Sequence, residues 1–324
     1  MKLRASVTPE GVQVQLSPDL PCAGGAPSAA SIPDYHASML NDKRRNAAYL
    51  SGIRAAVSQH RNRHDGSAPR VLDIGAGAGL LSMMAASAGA AEVVACERDA
   101  TLAAAACADI EFNDFGDVVT VVGAHSRLLS EKDVGAIDII VSEIFGSDAL
   151  SEGVLPTLAH AQSALLKPSG VMVPGKLVIC AALVFSGTLG LRESAPDDAL
   201  RRCFDVLAPM RCSAHLPDVP GLMLLTETAS FELDLNARPL RTCGVLQVED
   251  LLATAHGDAD AVAYWFDVVF SDGAHVATGP DDGWRPHWAQ TLFRLERTRT
   301  VHAGERLSLQ MEYRDDRTYF KVDV

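Results

Sequence analysis

The stretch Val71-Leu72-Asp73-Ile74-Gly75-Ala76-Gly77-Ala78-Gly79-Leu80-Leu81 decides the fold. A short, mostly apolar run enters a loop of alternating glycines, and a segment rich in Ala, Leu and Met follows. That is a strand, a tight turn and a helix N-terminus. Glycine is needed where φ is positive and where a ligand comes close to the backbone. A dinucleotide site wants G-x-G-x-x-G, which calls for glycine at position 80, where Leu80 stands. The spacing G-x-G-x-G, with Asp73 just before it, suits the amino-acid end of S-adenosylmethionine better than a pyrophosphate. Gly75 and Gly77 are the glycines expected against it. Glu97 follows Gly75 by 22 residues, at the end of a second apolar run. A carboxylate there accepts hydrogen bonds from both hydroxyls of a ribose. On this motif alone, a glycine turn in some other α/β fold remains open.

Outward from the loop, residues 70–143 alternate strands (71–74, 92–97, 118–122 and 137–142) with helical stretches after the first two. This predicts a doubly wound, Rossmann-like parallel sheet. In such sheets the ligand lies beyond the carboxyl ends of the strands, where Gly75, Glu97 and Glu143 all stand. A helix is expected from about His36, with Leu50, Ile53 and Val57 at helical spacing and Asp42, Lys43, Arg44 and Arg45 crowding the turn before it. A last helix over 153–166 runs to a turn at 167–170. Beyond Pro174-Gly175 the texture changes to strand-like runs at 176–185, 262–270, 290–293, 306–313 and 318–324, an antiparallel β domain. A helical, proline-bearing stretch interrupts it. Before His36 there is one strand-like run at 11–16 and then a Pro/Gly/Ala/Ser connection around 21–31. The division is therefore a flexible segment over 1–33, a cofactor domain over 34–174 and a β-barrel domain over 175–324, with an inserted arm at about 190–233.

The chain has 324 residues, 48% hydrophobic and 21% charged, which suits a soluble globule with a sizeable core. No window reaches the apolar length of a membrane span. Met1-Lys2-Leu3-Arg4 is followed by no apolar core, so no secretory signal is expected. Seven cysteines without a C-x-x-C pair argue for a reducing compartment and against a zinc site or a disulfide framework. A net charge of −13 disfavours nucleic-acid binding and favours a cationic partner. Many soluble proteins are acidic for solubility alone.

Residues 142–153, Ser-Glu-Ile-Phe-Gly-Ser-Asp-Ala-Leu-Ser-Glu-Gly, place Glu143 and Glu152 nine positions apart around one loop after the fourth strand. Two carboxylates suit a guanidinium, which presents five N–H donors in a planar fork. They fix its plane and draw positive charge toward the nitrogens they touch. The remaining terminal nitrogen then keeps a lone pair for in-line attack on a sulfonium methyl. Read alone, two loop glutamates are more often solvated or capping residues. The loop Gly283-Trp284-Arg285-Pro286-His287-Trp288 offers a His-Trp pair that lines a channel for an aliphatic stem, or one that merely packs.

The order of glycine loop, ribose acid, S-E-x(8)-E loop and His-Trp resembles the protein arginine N-methyltransferases over about 36–324. The stretches 36–46, 80–85 and 143–145 look most like its type III, monomethylating branch. The resemblance implies an S-adenosylmethionine cofactor. Arg45 would hold its methionine carboxylate, Asp73, Gly75 and Gly77 would line its amino-acid and ribose end, and Glu97 would take the ribose. Met39 would face the sulfonium, and Ser126 stands near the adenine. Glu143 and Glu152 would clamp the substrate guanidinium, with His287 and Trp288 beside it, and His287 would pair with Asp42.

The resemblance also implies basic, histone-like or RNA-binding-protein-like substrates and a homodimer formed through the arm, in the cytoplasm or nucleus. No metal, membrane or direct nucleic-acid contact is expected. This chain departs from the family pattern in four places. Pro286 replaces the usual Thr before His-Trp, and Ser126-Arg127 stands where many members place a Glu. No aromatic N-terminal helix is evident before Tyr35, and one module stands where the monomethylating branch often has two. The rivals are the same fold making dimethylarginine, a small-molecule methyltransferase, a silent binding homologue and, last, a nicotinamide dehydrogenase.

Overall fold

The computed structural model describes residues 2–8, 11–17, 34–187, 211–280 and 286–323. A parallel five-stranded sheet carries the glycine loop. It is built from β3 (Arg70–Ile74), β4 (Glu92–Glu97), β5 (Val119–Gly123), β6 (Ile137–Ser142) and β7 (Leu166–Val173), in the order β5-β4-β3-β6-β7. Pairing is in register from Arg70↔Glu92 to Ile74↔Cys96, so the ends of β3 and β4 lie side by side. The order reverses at β3, which opens the crevice that doubly wound sheets use for ligands. Helices α1 (Asp34–Leu40), α2 (Lys43–Arg63), α3 (Leu80–Ser87), α4 (Ala100–Phe112), α5 (Glu131–Val134) and α6 (Val154–Ala164) accompany this sheet. All six residues of β6 are buried, as a central strand covered on both faces requires.

Two expectations are corrected here. The segment 1–33 is not flexible throughout: β1 (Lys2–Thr8) and β2 (Gly11–Ser17) form an antiparallel hairpin on the cofactor domain. Leu3 is fully buried, its N–H donates to Asp109 Oδ1 at 3.1 Å, and the Ala5 N–H donates to Asn113 Oδ1 at 2.9 Å. Those two side chains of α4 and its C-cap satisfy a strand edge that would otherwise be bare. The turn expected at 167–170 is part of β7, which pairs parallel to β6. Pro168 is tolerated because β7 is an edge strand.

The second half is antiparallel. A curled sheet comprises β8 (Lys176–Phe185), β9 (Arg211–Ala214), β10 (Met223–Leu224), β11 (Ala229–Asp234), β13 (Gly257–Val269), β14 (His275–Ala277) and β15 (Gln290–Val301). A three-stranded sheet joins β12 (Cys243–Leu252), β16 (Arg306–Arg314) and β17 (Arg317–Asp323). The aromatic interior links them, with Phe320 of β17 packed near Phe231, Tyr264 and Phe293. This part of the arm expectation needs revision. Residues 211–234 are barrel strands and turns, with β9 paired to β15 and β10 and β11 paired to β8. The rest of the expected arm, 190–210, lies outside the described residues, as does the connection at 21–31.

Candidate active site

The three glycines of the loop have φ of +76°, +54° and +82° at Gly75, Gly77 and Gly79. A side chain is disfavoured there on backbone grounds alone. A Cβ on Gly75 would also fall 2.4 Å from Cγ2 of Ile144. The loop is bound to the next strand: the N–H groups of Gly75 and Ala76 both donate to the Cys96 carbonyl, at 2.9 and 3.1 Å. Gly77 N–H donates to Glu97 Oε2 at 2.9 Å, and Asp99 N–H to Glu97 Oε1 at 2.8 Å. Each carboxylate oxygen can accept two bonds and each accepts one here, so Glu97 keeps one lone pair on each oxygen, enough for a diol.

A cavity of about 500 Å³ opens over this loop. Its wall includes Met39, Arg45, Gly75, Gly77, Glu97, Ser126, Glu143, Glu152, His287 and Trp288. Ten residues singled out from the sequence thus meet around one space. Asp73 and Asp42 are not on the wall. Asp73 is fully buried and accepts from Ser82 Oγ at 2.6 Å, while its Oδ1 has no hydrogen-bond partner. Burial, with the nearby Glu97 charge, pushes its carboxyl up to about 7 against the pull of the Ser82 hydrogen bond.

Asp42 stands between α1 and α2 and caps α2, accepting from the Arg45 N–H at 3.0 Å through Oδ1. Its Oδ2 lies 3.3 Å from His287 Nδ1. Burial raises the Asp42 carboxyl, but the His287 hydrogen bond, the Arg45 amide and the charges of both residues outweigh it and leave it below its ordinary value. An ionised carboxylate only accepts, so His287 Nδ1 carries the proton in this contact. Trp288 Nε1 donates to the Phe145 carbonyl at 2.8 Å. The His-Trp loop therefore ties the barrel to both the α2 cap and the double-glutamate loop.

The buried Arg45 guanidinium donates through Nη2 to Glu143 Oε2 at 2.5 Å and through Nη1 to Asn46 Oδ1 at 2.8 Å. Its Nε has no partner, and its Cζ lies 5.3 Å from the Tyr49 ring centroid. Glu143 Oε1 makes no side-chain hydrogen bond among the described residues, nor does either oxygen of Glu152. Glu152 is exposed and sits at φ +70°, in the left-handed region that a non-glycine residue avoids.

The residue-level reading missed Tyr49. Its buried hydroxyl donates to the Ser142 carbonyl at 3.1 Å and its ring supports Arg45. The signal was its spacing, four residues after Arg45 and on the same helix face. Ile144, which covers Gly75, was equally legible as the neighbour of Glu143.

Residues 209–323 match the family model described as the arginine methyltransferase oligomerization subdomain. Residues 56–202 match that of the ribosomal protein L11 methyltransferase. An arginine N(omega)-methyltransferase of Streptomyces achromogenes subsp. streptozoticus is 34% identical over 291 residues, covering 88% of this chain and 77% of that protein. The chain belongs to the protein arginine N-methyltransferase family. Protein arginine N-methyltransferase 7 of Danio rerio is 30% identical over 325 residues, 89% of this methyltransferase and 47% of the relative. That of Gallus gallus is 31% identical over 315 residues, 85% and 45% respectively. The chain thus spans just under half the length of these two relatives. The fold is shared with the Trypanosoma brucei PRMT1 enzyme–prozyme heterotetrameric complex, at a TM-score of 0.68 and 23% identity over 89% of this chain and 96% of that one.

Proposed function

We propose that this arginine methyltransferase transfers a methyl group from S-adenosylmethionine to a terminal guanidino nitrogen of arginine in basic protein substrates, with ω-N-monomethylarginine as product. The observation that carries the reading is the meeting of Glu143 and Glu152 with the glycine loop and Glu97 around one cavity. The residues fit the donor. Arg45 Nε is a buried, unpartnered donor for its carboxylate, and Glu97 has acceptor capacity for its ribose.

When bound, S-adenosylmethionine supplies a sulfonium methyl that passes to the arginine nitrogen, which loses one proton. The protein's work is positioning and electrostatics. Glu143 Oε2 is committed to Arg45, which leaves Oε1 for the substrate guanidinium. Glu152 supplies the second carboxylate, so the two hold the plane and leave one terminal nitrogen exposed to the methyl. Phe145 is buried, and Trp288 fixes its carbonyl, which gives a rigid wall against a nitrogen that already carries a methyl.

A second reading, methylation of free arginine, is favoured by one observation: the relative of which this chain covers 77% is named for arginine rather than protein arginine. One experiment separates the readings. Incubation with labelled cofactor and either a histone-like arginine-rich peptide or free arginine, then hydrolysis and amino-acid analysis, is expected to give monomethylarginine from the peptide. Label in free arginine alone supports the second reading, abundant dimethylarginine supports the dimethylating rival, and no label from either sinks all three.

A further inference from the structure

We infer that Arg211 and Asp148 form a positioning latch that holds Glu152 in place from the barrel side. The inference rests on the methyl-transfer reading above, since Glu152 matters only if it grips a substrate cation. The loop between the two glutamates is held in an unfavourable shape: Ala149 at φ +67° and Glu152 at φ +70° are both non-glycine residues in the left-handed region. Such a conformation persists only where surrounding contacts over-determine it. Asp148 supplies them from the middle of the loop. Its Oδ1 accepts from the Ser151 N–H at 3.0 Å, one residue before Glu152, and its Oδ2 lies 3.3 Å from Arg211 Nη1.

Arg211 is the first residue of β9, whose strand is fixed by pairing with β15. The other arm of its guanidinium, Nη2, donates to the Thr318 carbonyl of β17, and its Cζ stands 5.7 Å from the Tyr319 ring centroid. One planar group is thus anchored on two barrel strands and reaches the loop with the nitrogen that remains. Both side chains are largely shielded, at 22% and 15% exposure, so solvent screens the pair only in part. Neither residue lines the cavity. Trp288, through the Phe145 carbonyl, secures the Glu143 end of the same loop. The barrel therefore holds both ends, and Arg211 holds the strained one.

The test combines kinetics with amide exchange on the full chain. Misplacement of a reacting group by about 1 Å typically costs on the order of a hundredfold in rate. Arg211→Ala and Asp148→Asn are each expected to lower kcat/KM for an arginine peptide by about tenfold to a hundredfold, with cofactor affinity within about twofold of wild type. The double variant should lose no more than the worse single variant, because both act through one contact. Arg211→Lys, which keeps the charge without the fork, should recover part of the loss. Exchange of the Ala149 and Ser151 amides should accelerate in Arg211→Ala. Independent, additive losses would overturn the latch. So would full activity in Arg211→Ala beside a crippled Asp148→Asn, which would instead place Asp148 on the substrate. Unchanged exchange at Ser151 overturns it even if the wild-type protein methylates nothing, in which case the methyl-transfer reading fails separately.

Discussion

At the scale of single residues, the two glutamates of the site differ in what they do for the fold. Glu143 is buried against Arg45, whereas Glu152 is exposed and unpartnered among the described residues. Glu152→Gln should cut methyl transfer about a hundredfold, roughly 3 kcal/mol of transition-state stabilisation, and leave thermal stability within about 0.5 kcal/mol. Glu143→Gln should match that rate loss and also destabilise the protein by about 3 kcal/mol, because it leaves the Arg45 charge buried without its neutralising carboxylate. Equal melting temperatures for the two variants would show that the ion pair is not sustained in solution. Glu152→Gly sharpens the contrast. Removing the side chain at φ +70° relieves about 1 kcal/mol of backbone strain, so calorimetry should find a more stable protein while the peptide assay finds an inactive one. Asp73 gives a pH signature. Its folded-state value of about 7 lies above the ordinary 3.8, so the native state keeps a proton that the unfolded chain releases between those values. The Asp73 contribution to stability is therefore full below about pH 4 and is lost as pH rises through 7, an upper limit of about 4 kcal/mol for three pH units. His60 and His160, both lowered by burial, act with the opposite sign below 6.5, so the readout is the difference from Asp73→Asn. That variant should match wild type near pH 4 and exceed it in melting temperature at pH 8. A pH-independent gap would mean that Asp73 is ionised throughout.

At the scale of elements, the Asp42 cap joins helix formation to the barrel. Asp42→Ala removes an N-cap bond, worth about 1 kcal/mol, and the His287 partner with it, whereas His287→Ala removes only the second. Calorimetry should therefore rank Asp42→Ala as the less stable of the two, while both slow transfer to arginine; a faster His287→Ala enzyme would deny the loop any role at the site. What the sequence disclosed follows the same physics. The glycine loop was legible because positive φ restricts the residue type, and β4, β6 and β8 because continuous or alternating apolar runs set their length. The break at Asn41–Asp42 inside one apparent helix was not, since capping needs a partner only the fold supplies. The strand β7 was hidden by Pro168 and Gly170, which read as a turn until an edge position makes them acceptable. In the hairpin, Leu3, Ala5 and Val7 alternate with polar residues, a readable strand signal, but nothing in the sequence says that Asp109 and Asn113 of the α4 region meet its edge. The pairing of Arg45 with Glu143 was equally out of reach, because 98 residues separate two groups each expected to serve a different ligand.

At the scale of the whole molecule, the open question is assembly. Residues 211–234 fold onto their own barrel, where Leu216 and Leu225 are buried, so those side chains need no partner. Met223 and Leu224 remain 45% and 37% exposed on the short edge strand β10. Adjacent exposed apolar residues on a sheet edge are a surface that soluble proteins usually cover. The region belongs to the stretch matched by the arginine methyltransferase oligomerization subdomain. A two-fold dimer would use the same edge twice. Light scattering at micromolar concentration should therefore give a particle of twice 34.4 kDa. Replacing Met223 and Leu224 with Asp should raise the dissociation constant at least about tenfold, some 1.4 kcal/mol, without unfolding the barrel, because neither side chain is in its core. Deleting 190–210 should abolish dimerisation, and activity should fall with it if the contact steadies α1 and α2 around Met39 and Arg45. A fully active particle of monomer mass would refute the dimer.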